Sequence, residues 1–154
     1  MTEPKLQHGA YYHIQKRGNY KDPIFKTEAD YRYFLELYRK YIGPIADLYA
    51  YCLLPTHFHL LIQFKARIDI GTFYPDGKAL QVQLRAFLGC YIKKVNSLYK
   101  RSGSLFSGKI YGLDGLTESD LCQLVARVNK DPQSYGIVAD YQIWPFSSYE
   151  PYRR

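Results

Sequence analysis

The sequence predicts an α+β fold: a ferredoxin-like or RRM-like antiparallel sheet with helices packed mainly on one face. Three observations predict it. Four short apolar or alternating runs, each bounded by turn residues, read as strands. Two threonines open capping-box sequences ahead of apolar stripes at helical spacing, and one longer segment is amphipathic throughout. Their order along the chain is β-α-β-β-α-β-α, the arrangement of a split βαβ sheet.

Tyr11 to Arg17 (YYHIQKR) alternates as a first strand and is closed by the turn-prone Gly18-Asn19. Thr27 opens a helix as T-E-A-D, with Asp30 at the third helical position to complete the box. Tyr31, Phe34, Leu35, Tyr38, Tyr41 and Ile42 form its apolar stripe, and Gly43-Pro44 stops it. Two strands follow, Ala46 to Leu54 and His57 to Phe64, joined by Pro55-Thr56. Pro75-Asp76-Gly77 marks a turn. A long helix then runs from Lys78 to about Lys100, with Leu80, Leu84, Phe87, Tyr91, Val95 and Leu98 along one side. Ser102-Gly103 ends it, and Leu105 to Tyr111 reads as the fourth strand. Thr117 opens a last helix as T-E-S-D, with Leu121, Leu124, Val125 and Val128 inward and Pro132 as its end. The tail, Tyr141 to Arg154, is read as a loop held down by the aromatics of WPFSSY.

A chain of 154 residues with 47% hydrophobic and 23% charged residues suits one globular domain, residues 1–154, and excludes disorder. It has no apolar run of the roughly 18 residues a membrane helix needs, so no membrane partner is expected. The first residues lack the apolar core of a secretory signal. Cys52, Cys90 and Cys122 are scattered, which suits buried thiols in a reducing cytoplasm, and a nucleoid-associated location is expected.

Charge and aromaticity point to a class of partner. Net charge is +7, and 17 tyrosines bring aromatics to 17%. Cations attract phosphate backbones and aromatic faces stack on unpaired bases. From Gly77 to Leu113 there is no acidic residue, but Lys78, Arg85, Lys93, Lys94, Lys100, Arg101 and Lys109 supply seven of the 21 cations. The plain alternative is a solvated helix face.

Two of four histidines stand at His57 and His59 in LPTHFHLLIQ. Residues two apart in a strand face the same way, so the two imidazoles project together while Phe58, Leu60 and Ile62 enter a core. Side by side, they make half a metal site. A bare H-x-H is otherwise two polar residues on an open face.

LPTHFHLL resembles the histidine–hydrophobic–histidine motif of the single-tyrosine HUH transposases, and the chain as a whole resembles REP-associated tyrosine transposases. YHIQKRGNYKDPIF resembles their opening strand and Arg-Gly-Asn turn. YAYCLLPTHFHLLIQ resembles the strand pair carrying the motif, and YKRSGSLFSGKI the segment before the last strand. DPQSYGIV and WPFSSY resemble the closing helix end and C-terminal loop. The resemblance implies DNA transposition: recognition of hairpin or single-stranded DNA and strand cleavage by a tyrosine hydroxyl. The product is a 5′-phosphotyrosine. A divalent ion, Mg²⁺ or Mn²⁺, on the two histidines and a third side chain would polarise the phosphate.

One departure matters. The family places its nucleophile in a stretch written Tyr-Ile-His-x-Asn-Pro. Aligned on Pro132, this chain reads Arg127-Val128-Asn129-Lys130-Asp131-Pro132. Arg127 occupies the tyrosine position, and a guanidinium has no lone pair with which to attack phosphorus. Asp131 occupies the third-ligand position, so the expected metal set is His57, His59 and Asp131. Arg127 and Asp131 lie one turn apart and could instead form a surface pair. Tyr135, just past Pro132, is an alternative nucleophile if the chain folds back, whereas Tyr91 belongs to the core. Expected DNA contacts are Arg17, Lys78, Arg85, Lys93, Lys94, Lys100, Arg101, Lys109 and Arg127, in a monomer or homodimer. The rival from another class is a metal-free module for single-stranded nucleic acid.

Overall fold

The computed structural model describes residues 5–19, 23–66 and 77–149, with side chains from residue 80 onward in the last segment. The expected turn at Pro75-Asp76 and the side chain of Lys78 lie outside the described residues. The elements are β1 (Tyr11–Gly18), α1 (Glu28–Tyr41), β2 (Ala46–Leu54), β3 (His57–Phe64), α2 (Gly77–Leu98), β4 (Phe106–Leu113) and α3 (Glu118–Ser134). A 3₁₀ turn follows at Tyr141–Ile143. The four strands form one sheet in the order β2-β3-β1-β4, every neighbouring pair antiparallel. This is the α+β ferredoxin-like arrangement.

The local signals act as read. Asp30 N–H donates to Thr27 Oγ1 and Thr27 N–H to Asp30 Oδ2, closing the box that starts α1. Thr117 and Asp120 repeat it at α3. Asp30 also accepts from the Tyr99 hydroxyl at 2.6 Å, which ties the end of α2 to the start of α1.

The sheet divides its side chains by parity. Tyr12, Ile14, Leu53, Phe58, Leu60, Ile62, Phe64 and Ile110 form one face and bury against Tyr31, Phe34 and Tyr38 of α1 and Leu80, Phe87 and Tyr91 of α2. Tyr91 is fully buried, its hydroxyl donating to the Ile24 carbonyl, as expected of a core residue. The opposite face carries a second, smaller core: Ala50, Cys52, Leu54 and Leu61 under Leu121, Leu124, Val125 and Val128 of α3. Two helices therefore cover one face and α3 alone lies on the other, across β2.

Pro132 does not end α3, which continues to Ser134. A proline removes one donated hydrogen bond but still accepts them, and here Ile137 N–H reaches the Pro132 carbonyl at 2.9 Å. Gly136, at φ 72°, makes the stop. The tail packs as a loop through its aromatics. Phe146 stacks on Tyr31 with ring centroids 4.2 Å apart, and Trp144 Nε1 donates to the Leu53 carbonyl. Its backbone also pairs with the outer edge of β2, through Leu53 N–H to Phe146 O and Ser148 N–H to Tyr51 O.

Candidate metal centre and nucleic-acid interface

His57 and His59 share the sheet face on which α3 lies, because β3 alternates and the apolar Phe58, Leu60 and Ile62 claim the other core. Both are almost wholly buried, as is Asp131 of α3. Oδ2 of Asp131 stands 3.0 Å from Nε2 of His59. Their contact is off the line a hydrogen bond needs, and Nε2 of His59 has no hydrogen-bond partner. Nε2 of His57 is likewise buried without one. His57 and His59 meet edge to face, ring centroids 5.2 Å apart. His57 and His59 thus share one face, and Asp131 of α3 meets His59. Among the described residues, however, no group of three or more His, Cys, Asp or Glu side chains stands in metal-holding geometry.

A third imidazole was not foreseen. His13 of β1 places its Nε2 3.0 Å from Nδ1 of His59, so a row runs from the buried Asp131 and His59 to the half-buried His13. It is legible only once β1 is known to pair with β3, with Gln15 opposite His59 and Arg17 opposite His57. Burial, and next the neighbouring His59, lowers His13 to a pKa of about 4; Asp131 opposes this and Arg127 adds to it. Burial also lowers His57 to about 4, again with His59 next, Asp131 opposing and Arg17 adding. Both are neutral imidazoles at pH 7. Cys52, across from His59, is raised by burial and then by Asp131, and stays a protonated thiol.

Arg127 is exposed on α3, one turn before Asp131. The pair that might have joined them is not formed: among the described residues Asp131 turns to His59 instead. Tyr135, one turn after Asp131, folds against the site. Its ring meets that of His57 edge to face with centroids 4.4 Å apart, and the residue is 55% exposed. The continuation of α3 through Pro132 puts it there. Tyr135, His57, Thr56, Gly18, Arg17 and Gln15 line a cavity of about 380 Å³.

Because α3 crosses β2, the half of this face on β1 and β4 is left open. Gln15, Arg17, Gly108, Lys109 and Tyr111 line a second hollow of about 310 Å³ there, adjoining the first through Gln15 and Arg17. Gly108 is required: with φ 131°, a Cβ would lie 2.3 Å from the Gln15 carbonyl oxygen. A larger hollow of about 850 Å³ between α1 and the tail holds none of the histidines, so size does not mark the site.

The expected cations separate into two groups. Arg17, Lys109 and Arg127 border the histidine face. Arg85, Lys93, Lys94 and Lys100 are exposed on or just beyond α2, across the sheet from it. Lys94 lies over the Tyr33 ring, and Arg101 is bound to Asn96 and the Ser104 carbonyl. Among the described residues no helix is long and apolar enough to cross a membrane.

No protein-family model matches the chain, and no curated protein does. Among solved structures it is similar to a REP-associated tyrosine transposase bound to a REP hairpin. The TM-score is 0.69 at 14% identity, covering 97% of this chain and 82% of that one. The two share a fold.

Proposed function

We propose that this protein binds hairpin or single-stranded DNA on the open β1–β4 half of its histidine face, beside a divalent-cation site formed by His57, His59 and Asp131. The observation that carries this reading is a pair of buried imidazole nitrogens, Nε2 of His57 and Nε2 of His59, that have no hydrogen-bond partner among the described residues, with Oδ2 of Asp131 3.0 Å from the second. His57, His59 and Asp131 would hold the ion, and the 3.0 Å between Nε2 of His59 and Oδ2 of Asp131 leaves two acceptors that a cation would satisfy. The mixed imidazole and carboxylate set suits Mn²⁺ or Mg²⁺, which when bound would supply a Lewis acid toward a phosphate oxygen.

The chain's own residues do the rest. Arg17 and Lys109 offer cations to the backbone, and Tyr111, 45% exposed, offers a ring face for a base. Arg127, standing where related enzymes carry the attacking tyrosine, grips a phosphate's non-bridging oxygens and provides no nucleophile. The cations of α2 would meet only a DNA long enough to reach around the sheet.

Calorimetric titration of Mn²⁺, followed by hairpin binding with and without it, tests this reading. His57→Ala and Asp131→Asn should each abolish tight Mn²⁺ binding, and wild-type hairpin affinity should fall when the ion is removed. Undiminished Mn²⁺ binding by both variants would sink it.

A second reading is favoured by the position of Tyr135 against His57 in a cavity shared with Arg17. Here the Tyr135 hydroxyl attacks the phosphorus, its proton leaving to solvent. The P–O3′ bond breaks and O3′ takes a proton from solvent, leaving a 5′-phosphotyrosine and a free 3′-OH. A Mn²⁺-dependent covalent adduct lost in Tyr135→Phe supports it. Absence of any adduct leaves the binding protein described above.

A further inference from the structure

We infer that His13 is a positioning residue: it accepts the Nδ1 proton of His59 and thereby turns the Nε2 lone pair of His59 toward the cation site. The inference rests on the metal reading for its consequence, but on hydrogen-bond accounting for its premise. A neutral imidazole carries one N–H and one lone pair. Nδ1 of His59 has one partner, Nε2 of His13 at 3.0 Å, so one of the two nitrogens must donate to the other.

If His13 donated, His59 would carry its proton on Nε2. That proton would be buried with no acceptor in line, since the Asp131 carboxylate at 3.0 Å lies off its axis. An unmet buried donor costs about 1–3 kcal/mol. If His59 donates instead, its Nδ1 proton is satisfied, and Nε2 presents a lone pair 3.0 Å from Oδ2 of Asp131. A cation would satisfy these two acceptors together. The stacked arrangement of the two rings, 30° between planes, holds the donor and acceptor in register. Metal-ligating histidines are commonly oriented by such a partner on the far nitrogen, usually a carboxylate or carbonyl. Here a third histidine from β1 fills that place.

The test uses metal-free full-length protein labelled with ¹⁵N-histidine at pH 8, where imidazole is neutral. His59 is assigned by the signal lost in His59→Gln. Wild type should show His59 protonated at Nδ1. His13→Leu should shift it to the Nε2–H form, and His13→Gln, whose amide oxygen can accept, should restore it. Titration with Mn²⁺ should show affinity about 10–100-fold weaker in His13→Leu, with recovery in His13→Gln. A wild-type His59 protonated at Nε2 or at both nitrogens would overturn the inference. So would Mn²⁺ affinity equal in wild type and His13→Leu. If wild type binds no Mn²⁺ at all, the metal reading fails while the nitrogen spectrum still decides what His13 does.

Discussion

At the scale of single residues, the neutral imidazoles make the fold sensitive to acid. His13 and His57 titrate near 4 when folded, against about 6.5 in an unfolded chain. Between those values the unfolded state binds more protons, so stability rises with pH through this window and is lost as pH falls through it. Above about pH 6.5 both are neutral in either state and contribute no slope. The unfolding free energy from urea titration should therefore fall between pH 7 and pH 4.5, by about 2 kcal/mol for each histidine, less where the two share His59 as neighbour. Replacing His57 with Gln should flatten the profile. A wild-type profile flat to pH 4.5 would mean that water reaches these rings.

At the scale of elements, the two banks of cations belong to different surfaces. For an oligonucleotide of about ten bases, Arg17→Ala, Lys109→Ala and Arg127→Ala should each lower affinity and reduce the salt slope by about 0.7. Lys93→Ala and Lys100→Ala should leave that slope unchanged, because α2 packs on the other side of the sheet. An equal effect from both groups would place the DNA elsewhere. The same division shows what was legible in the sequence. Strand parity predicted that His57 and His59 share a face, and the capping boxes at Thr27 and Thr117 predicted where α1 and α3 begin, because both signals are local. The side of the sheet that α3 takes is not local, nor is the β1–β3 register that brings His13 to His59. Pro132 read as a helix end because proline donates no hydrogen bond, but its carbonyl still accepts one, so α3 continues and carries Tyr135 to His57 without the fold-back turn that the sequence suggested.

At the scale of the molecule, the C-terminal tail completes the sheet. Residues Phe146 to Ser148 pair with β2, an edge strand whose outward backbone groups would otherwise be open. Removing the chain from Tyr141 onward should lower the melting temperature, through loss of the Trp144 and Phe146 packing, and should promote association through the bared edge. Sedimentation compared with the full chain checks this. A truncated protein that stays monomeric with unchanged melting would show that β2 needs no cover.

The solitary position of α3 has a consequence for motion. α1 and α2 share the large core, while α3 is held by the small cluster around Ala50, Cys52, Leu54 and Leu61. A helix held by so little apolar contact is a candidate for opening as a unit before the rest of the chain unfolds. Its amides, from Leu121 to Lys130, should exchange with solvent deuterium at a lower opening free energy than those of Phe34 to Tyr38. Mn²⁺ bound between β3 and α3 would act as a clasp across that seam, slowing exchange in α3 and leaving α1 untouched. DNA seated against Arg127 would pull in the same direction. Cation and nucleic acid would then each favour the other, because both hold α3 against the sheet.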